Sequence, residues 1–353
     1  MHGARALRLA APLLLTGCVG GPTPTATPAT GAPAAPSAAP GGAACAAQDS
    51  TQRLRFVSSF WLNLHNALYR DARRQRGRTD ESLGARGSVP HDTAAQRALT
   101  DDERARWQRA VAYYERSIVG DELGDSLVTR VNDRLAAAAP DRSLSDDALP
   151  AALRAALLDA APIYRDVWWP VHDRHNAAWI DRARAQYASR GRCEGDTLAA
   201  ALGTTWTTEP IRVDATVYAS WFGAYTTLAP PHVTISSTAV GSNGATMLEV
   251  LLHEAGHVHL HAVDSALAAE AARQRRVLPA ELSHLVLFYT TGALRRRADP
   301  TYVPYAERFG IWTKSRTARR HRGLLAREWQ PWLDGRRSFA AAITGVVAGL
   351  PRR

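Results

Sequence analysis

The chain has 353 residues, of which 46% are hydrophobic, and a formal net charge of +10. The positive excess is carried by arginine, with Lys314 the sole lysine, and the arginines are scattered among Ala and Asp on what read as ordinary helix faces. Without a basic-aromatic motif this pattern argues against a nucleic-acid partner and for a surface bias towards resting near a membrane.

At the N-terminus Arg5 and Arg8 accompany an apolar run, Leu7 to Leu15, that ends in Leu15-Thr16-Gly17-Cys18. A basic start, a short apolar stretch and small residues before a cut make residues 1–17 a secretory signal. The run is too short for a spanning helix, which needs about 20 apolar residues. Its ending resembles the bacterial lipobox. That resemblance implies cleavage before Cys18, lipidation of Cys18, and anchorage to the bacterial cell envelope, on the outer face of the membrane or in the periplasm. Loss of the signal removes Arg5 and Arg8 and no acid, so the net charge falls from +10 to +8. Residues 18–48 are almost wholly Pro, Ala, Thr, Gly and Ser, unable to build a core, and read as an extended linker. Cys45 and Cys193 then remain as an even pair in an oxidising compartment, where a disulfide between them is expected.

Residues 49–200 read as a helical N-terminal part. Leu54, Val57, Phe60, Trp61, Leu64 and Leu68 keep helical spacing, predicting one helix that continues to Arg74. Thr100-Asp101-Asp102-Glu103 is a capping box that opens a helix through Ile118. Another helix is expected over Leu149 to Leu158. Pro162 and Pro170 then flank the start of one that runs through Trp179 to Tyr187. His65, Asn66, His172, His175 and Asn176 fall on these apolar helices and are expected to be hydrogen-bonded core groups rather than cleft residues.

Residues 201–353 change character. Ile211 to Tyr218, Tyr225 to Leu228 and His232 to Ser236 alternate as strands do, with Pro230-Pro231 between the last two. Gly241-Ser242-Asn243-Gly244 breaks the pattern, and Ser242 or Asn243 can cap the helix that follows. That helix, Ala245 to His261, carries His253-Glu254-Ala255-Gly256-His257, an H-E-x-x-H motif. Residues four apart stack on one side of a helix, so His253 and His257 project together and can hold two corners of a tetrahedral zinc. Glu254 can reach a water at the metal without ligating it. Gly256 leaves room for a close approach. Further helices are expected over Ala266 to Arg275 and Pro279 to Arg297, with two more through Trp329 to Val347. Tyr302, Tyr305 and Trp312 lie in a connecting segment, with Tyr305 a candidate donor to an oxyanion.

On His253, Glu254 and His257 the chain resembles the zincin superfamily of metallopeptidases. Leu260 and Val263 stand where the metzincin branch has Gly and His, so a gluzincin-like layout, with the third ligand on a later helix, is the closer match. The resemblance implies an α+β fold, mostly helical, with a small sheet ahead of the metal helix whose edge strand can pair with an extended peptide. It also favours Glu281 as third ligand. Glu281, however, is an acid in a helix's first turn, where the macrodipole already accounts for it. His284 sits one turn before Leu287 and Phe288 on an apolar face, where an imidazole needs a partner. His284 is therefore the expected ligand, with Glu281 the alternative. The expected function is a membrane-tethered, zinc-dependent hydrolase, a peptidase acting on peptides or proteins with Glu254 as general base. The competing expectation is a non-catalytic envelope lipoprotein serving as a binding or structural module.

Overall fold

The computed structural model describes residues 53–78, 82–89, 97–118, 126–138, 144, 149–314 and 316–352. The expected signal, the linker, Cys18 and Cys45 lie outside them. In chain order the elements are β1 (Leu54–Val57), α1 (Phe60–Gln75), α2 (Asp101–Ser117), α3 (Ser126–Ala137), α4 (Ala151–Val167), α5 (Trp169–Gln186) and α6 (Arg192–Ala201). Then come β2 (Ile211–Thr216), β3 (Ala224–Leu228), β4 (Pro231–Ser236), α7 (Met247–Gly256), α8 (His261–Arg273) and α9 (Leu282–Ala298). The chain closes with α10 (Tyr305–Arg308), α11 (Arg316–Glu328), α12 (Gln330–Leu333) and α13 (Phe339–Ala348). The protein is mostly helical with one small mixed sheet, an α+β arrangement. Among the described residues no helix is long and apolar enough to cross a membrane.

The four strands lie in the order β1-β2-β4-β3. β1, β2 and β4 run parallel, and β3 pairs antiparallel with β4 at the end of the sheet. The single helix expected from Leu54 to Arg74 is therefore two elements. Leu54 and Phe56 are buried while Arg55 is exposed, the alternation of a strand, and β1 pairs in register with Ile211 to Asp214. Ser59 precedes the helix proper at Phe60.

Two hydrophobic cores divide the chain. One gathers Trp61 and Leu64 of α1, Trp107 and Tyr114 of α2, and Leu157 and Tyr164 of α4. The other holds the sheet, α5 to α9 and the C-terminal helices. β1 belongs to the second core, and Tyr218, which follows β2, packs in the first. The capping box of α2 is formed, with the Glu103 amide donating to Thr100 Oγ1 and the Thr100 amide donating to Glu103. Pro162 lies inside α4 instead of ahead of the next helix. Pro170 does open α5, where its missing N–H costs nothing. Ser242 and Asn243 do not cap α7, whose N-cap, Thr246, makes no side-chain capping bond. The Asn243 amide instead donates to the Ser237 and Ala239 carbonyls and holds the loop after β4.

Polar bridges join the two cores. Asn63 of α1 donates to the carbonyl of Ala215 and accepts from the Val217 amide and from Asn176 of α5, which in turn accepts from the Ser237 hydroxyl. His232 of β4 bonds Asp214 at 2.9 Å, and Thr227 of β3 donates to Asp133 of α3 at 2.9 Å. Burial works against charge on His232, but Asp133 and Asp214 outweigh it and hold its pKa above the usual value. His65 and His172 meet the hydroxyls of Tyr114 and Tyr164, each at 2.8 Å, and Asn66 donates to Leu62. His175 is half-buried beside the Ser237 carbonyl. These polar residues are core and interface groups, as expected of them. Cys193 at the start of α6 is disulfide-bonded.

Candidate metal centre

Every residue of α7 is buried, Glu249, His253 and Glu254 among them, so its apolar run carries these polar groups into the core. The helix is shorter than the sequence suggests. It ends at Gly256, His257 to His259 form a 3-10 turn, and α8 begins at His261. His261 is thus not a further turn of the same helix. It is exposed, while His259 packs on Trp206 at 4.7 Å between ring centroids. The tightened turn keeps His257 beside His253.

α9 supplies the third imidazole. A Cβ built on Gly256 would come within 2.8 Å of Leu287 Cδ1, so the bare glycine is what lets α9 lie close against α7. His284, one turn before Leu287, then meets the motif pair. The ring centroids are 5.0 Å apart for His253 and His257, 5.1 Å for His253 and His284, and 4.9 Å for His257 and His284, a nearly equilateral triangle. One ring nitrogen from each lies within 4.8 Å of the others, and the Nε2 atoms of His253 and His284 are 3.0 Å apart. Phe288 stacks on His253 at 4.0 Å and flanks His284 at 4.7 Å. Glu281 is not in the cluster. It occupies the N-cap position of α9, and its charge is felt by His321 of α11.

The residues fit a zinc ion. Zinc–nitrogen bonds of about 2.0–2.1 Å at tetrahedral angles put ligand nitrogens about 3.3 Å apart, so the closest pair here needs to open by only a few tenths of an ångström. Burial drives His253 and His257 well below the usual histidine range and His284 down to about 4, which keeps the imidazoles neutral, the form that ligates. One feature departs from common metal sites: Nδ1 of His253 is buried without a hydrogen-bond partner, and the stacked Phe288 ring takes over the task of orienting it.

Glu254 lines the same cavity. Burial pushes its carboxyl up to about 7, against the pull of the Thr226 hydroxyl, which sits 2.9 Å from Glu254 Oε2 and 2.9 Å from its main-chain carbonyl. Thr226 belongs to β3, so the end strand of the sheet touches the acid directly. Glu249, four residues before His253, was not singled out in the sequence, although an acid at that spacing on an apolar helix is a legible sign. Its Oε2 accepts from the Tyr302 hydroxyl at 2.5 Å and the Tyr305 amide at 2.7 Å. Its Oε1 is buried without a partner, and burial pushes the carboxyl up to about 7. This anchor sets Tyr305 at the cavity wall. Burial holds the Tyr305 phenol above its usual range, so it remains a proton donor at neutral pH.

Residues 82–89, for which the sequence carried no functional reading, add Ser82 and Gly84 to the wall. They are fixed by backbone bonds from Ser82 to Trp221, from Gly241 to Gly84 and from Val240 to Arg86. Gly84 has no side chain where the Tyr305 hydroxyl packs against it. The cavity measures about 80 Å³, room for a few waters or one small group. No family model matches the chain, and no curated protein or solved structure does either.

Proposed function

We propose that the chain is a zinc-dependent hydrolase, with peptides or proteins as its substrates, exported and tethered to the cell envelope through Cys18. The observation that carries this reading is the triangle of neutral imidazoles, His253 and His257 buried and His284 half-buried, with a buried carboxyl, Glu254, beside it. Zinc held by three histidines acts as a Lewis acid on a carbonyl oxygen and makes water acidic near neutral pH.

The chain's own residues supply the rest. Glu254, poised near neutrality, takes the proton from the attacking water at its carboxylate and returns it to the leaving amine. The Thr226 hydroxyl orients that carboxylate. Tyr305, kept protonated by burial, is positioned by Glu249 to donate to the oxyanion. The peptide preference rests on β3, which ends the strand order and touches Glu254, where an extended backbone can add to the sheet.

The test has two arms. The purified chain is expected to keep stoichiometric zinc through dialysis and to cleave members of a mixed peptide library. Glu254→Gln is expected to retain zinc and fold while activity drops at least about a hundredfold, the lower range for general acid-base catalysis. Unchanged turnover would mean the motif is misread. A well-folded chain that takes up no metal would favour the non-catalytic envelope lipoprotein.

A further inference from the structure

A second, larger concavity adjoins the metal cavity. It measures about 860 Å³, and Phe288 borders both. The turn at Ile311–Lys314 is shared in the same way, with Ile311 and Lys314 on the metal cavity and Trp312 and Thr313 on the groove.

The charges along this path are unbalanced. The groove is lined by four arginines, Arg296, Arg297, Arg319 and Arg322, against two carboxylates, Glu307 and Asp334. Glu307 is shared by Arg296 and Arg322 at 2.7 Å each, and Asp334 is shared by Arg297 and Arg336. Arg319 donates to the Thr313 carbonyl at 2.9 Å and has no carboxylate partner among the described residues. Lys314, the chain's sole lysine, likewise has no acid partner among the described residues. It is exposed yet lines the cavity, which puts it at the mouth. Partial desolvation there holds its pKa below the usual lysine value. Cations left without counter-charges beside an apolar wall are complemented best by anions that arrive with a ligand.

Resting on the hydrolase reading above, we infer that the substrate is an acidic polypeptide: its scissile bond sits at the imidazole triangle, and carboxylates on one side of it pass Lys314 and Phe288 into the arginine groove. The two carboxylates retained in the groove repel a dense polyanion such as polyphosphate. Single charges spaced along an extended chain still fit between them, and β3 beside Glu254 suits an extended backbone.

Calorimetry on the zinc-stripped full chain tests the inference without catalysis. The probes are a blocked hexapeptide of alternating Glu and Ala and its Gln-Ala counterpart. At low salt the Glu peptide is expected to bind at least about fivefold tighter, the sum of a few exposed ion pairs. That preference is expected to collapse in the double variant Lys314→Met, Arg319→Met, whose exposed side chains carry none of the core. Equal affinities, a preference unchanged in the double variant, or tighter binding of inorganic polyphosphate than of the Glu peptide would each overturn it. If the Glu peptide is preferred but the zinc-loaded protein cleaves nothing, the hydrolase reading fails and the acidic-ligand groove stands. If both peptides are cleaved and bound alike, the hydrolase stands and this inference falls.

Discussion

His284→Ala is the most informative single change. Its imidazole forms one corner of a triangle whose other corners are fixed by the i,i+4 pair on α7, and its Nε2 lies 3.0 Å from that of His253. Zinc sites with four protein ligands are worth about 10–16 kcal/mol, or roughly 3 kcal/mol per ligand. Removing one of three ligands is therefore expected to weaken zinc about a hundredfold or more. Glu281→Ala removes a carboxylate at the N-cap position of α9 that is felt by His321 and not by the cluster, so its zinc affinity is expected to match the parent. The assay is competition for zinc with a chromophoric chelator, alongside circular dichroism to verify the fold of each variant. Parent-like affinity in His284→Ala together with loss in Glu281→Ala would refute the assignment and restore the ordinary gluzincin pattern.

The remaining predictions concern stability and processing. Glu249 is pushed from the usual carboxyl range to about 7, so the folded state keeps a proton that the unfolded chain gives up, and stability falls as pH rises from about 4.5 to 7. Metal-free Glu249→Gln should therefore lose less stability than the parent between about pH 5 and pH 8, by about 2–3 kcal/mol in denaturant melts; parallel losses would count against the buried acid. Gly256→Ala should destabilise by about 1–3 kcal/mol despite better helix propensity, because its Cβ meets Leu287 and Leu198, and a raised Tm would contradict the packing argument. Intact mass of membrane-extracted protein should show a diacylated chain beginning at Cys18, and non-reducing peptide maps should join Cys45 to Cys193. An unprocessed Met1 would show the export reading wrong, and two alkylatable thiols in folded protein would show the disulfide wrong.

What the sequence makes legible is local periodicity and chemistry that sits on one element. The 253–257 spacing, the capping box at Thr100 and the three strands from Ile211 to Ser236 are of this kind, and each recurs in the structure. β1 was hidden because Leu54, Val57, Phe60 and Trp61 happen to fit a helical period, while its strand character depends on pairing with β2 far along the chain. Pro162 has the look of a boundary, but tertiary packing on both sides of α4 outweighs one lost helical hydrogen bond. His284 was legible by elimination, as an imidazole on an apolar face. Thr226 was not, since a threonine in a strand carries no mark of the acid it touches. Nor were residues 82–89, whose place against Tyr305 depends on bare glycines meeting partners distant in sequence.

The bridges between the two cores have a consequence for where the precision of the site resides. Asn63 and Asn176 tie the ends of β2 and β4 to α1 and α5, and Asp133 ties β3 to α3 through the hydroxyl of Thr227. Thr227 is the immediate neighbour of Thr226, the residue that holds Glu254. The helices of the first core thus contribute none of the three imidazoles, yet they act as a jig for the strand against which the acid is set. A carboxylate or amide removed there leaves a buried group unpaired, at a cost of about 1–3 kcal/mol, and the strain reaches the acid through one peptide unit. Damage to that lobe would register first as a drift in how Glu254 titrates, with the imidazoles still in place.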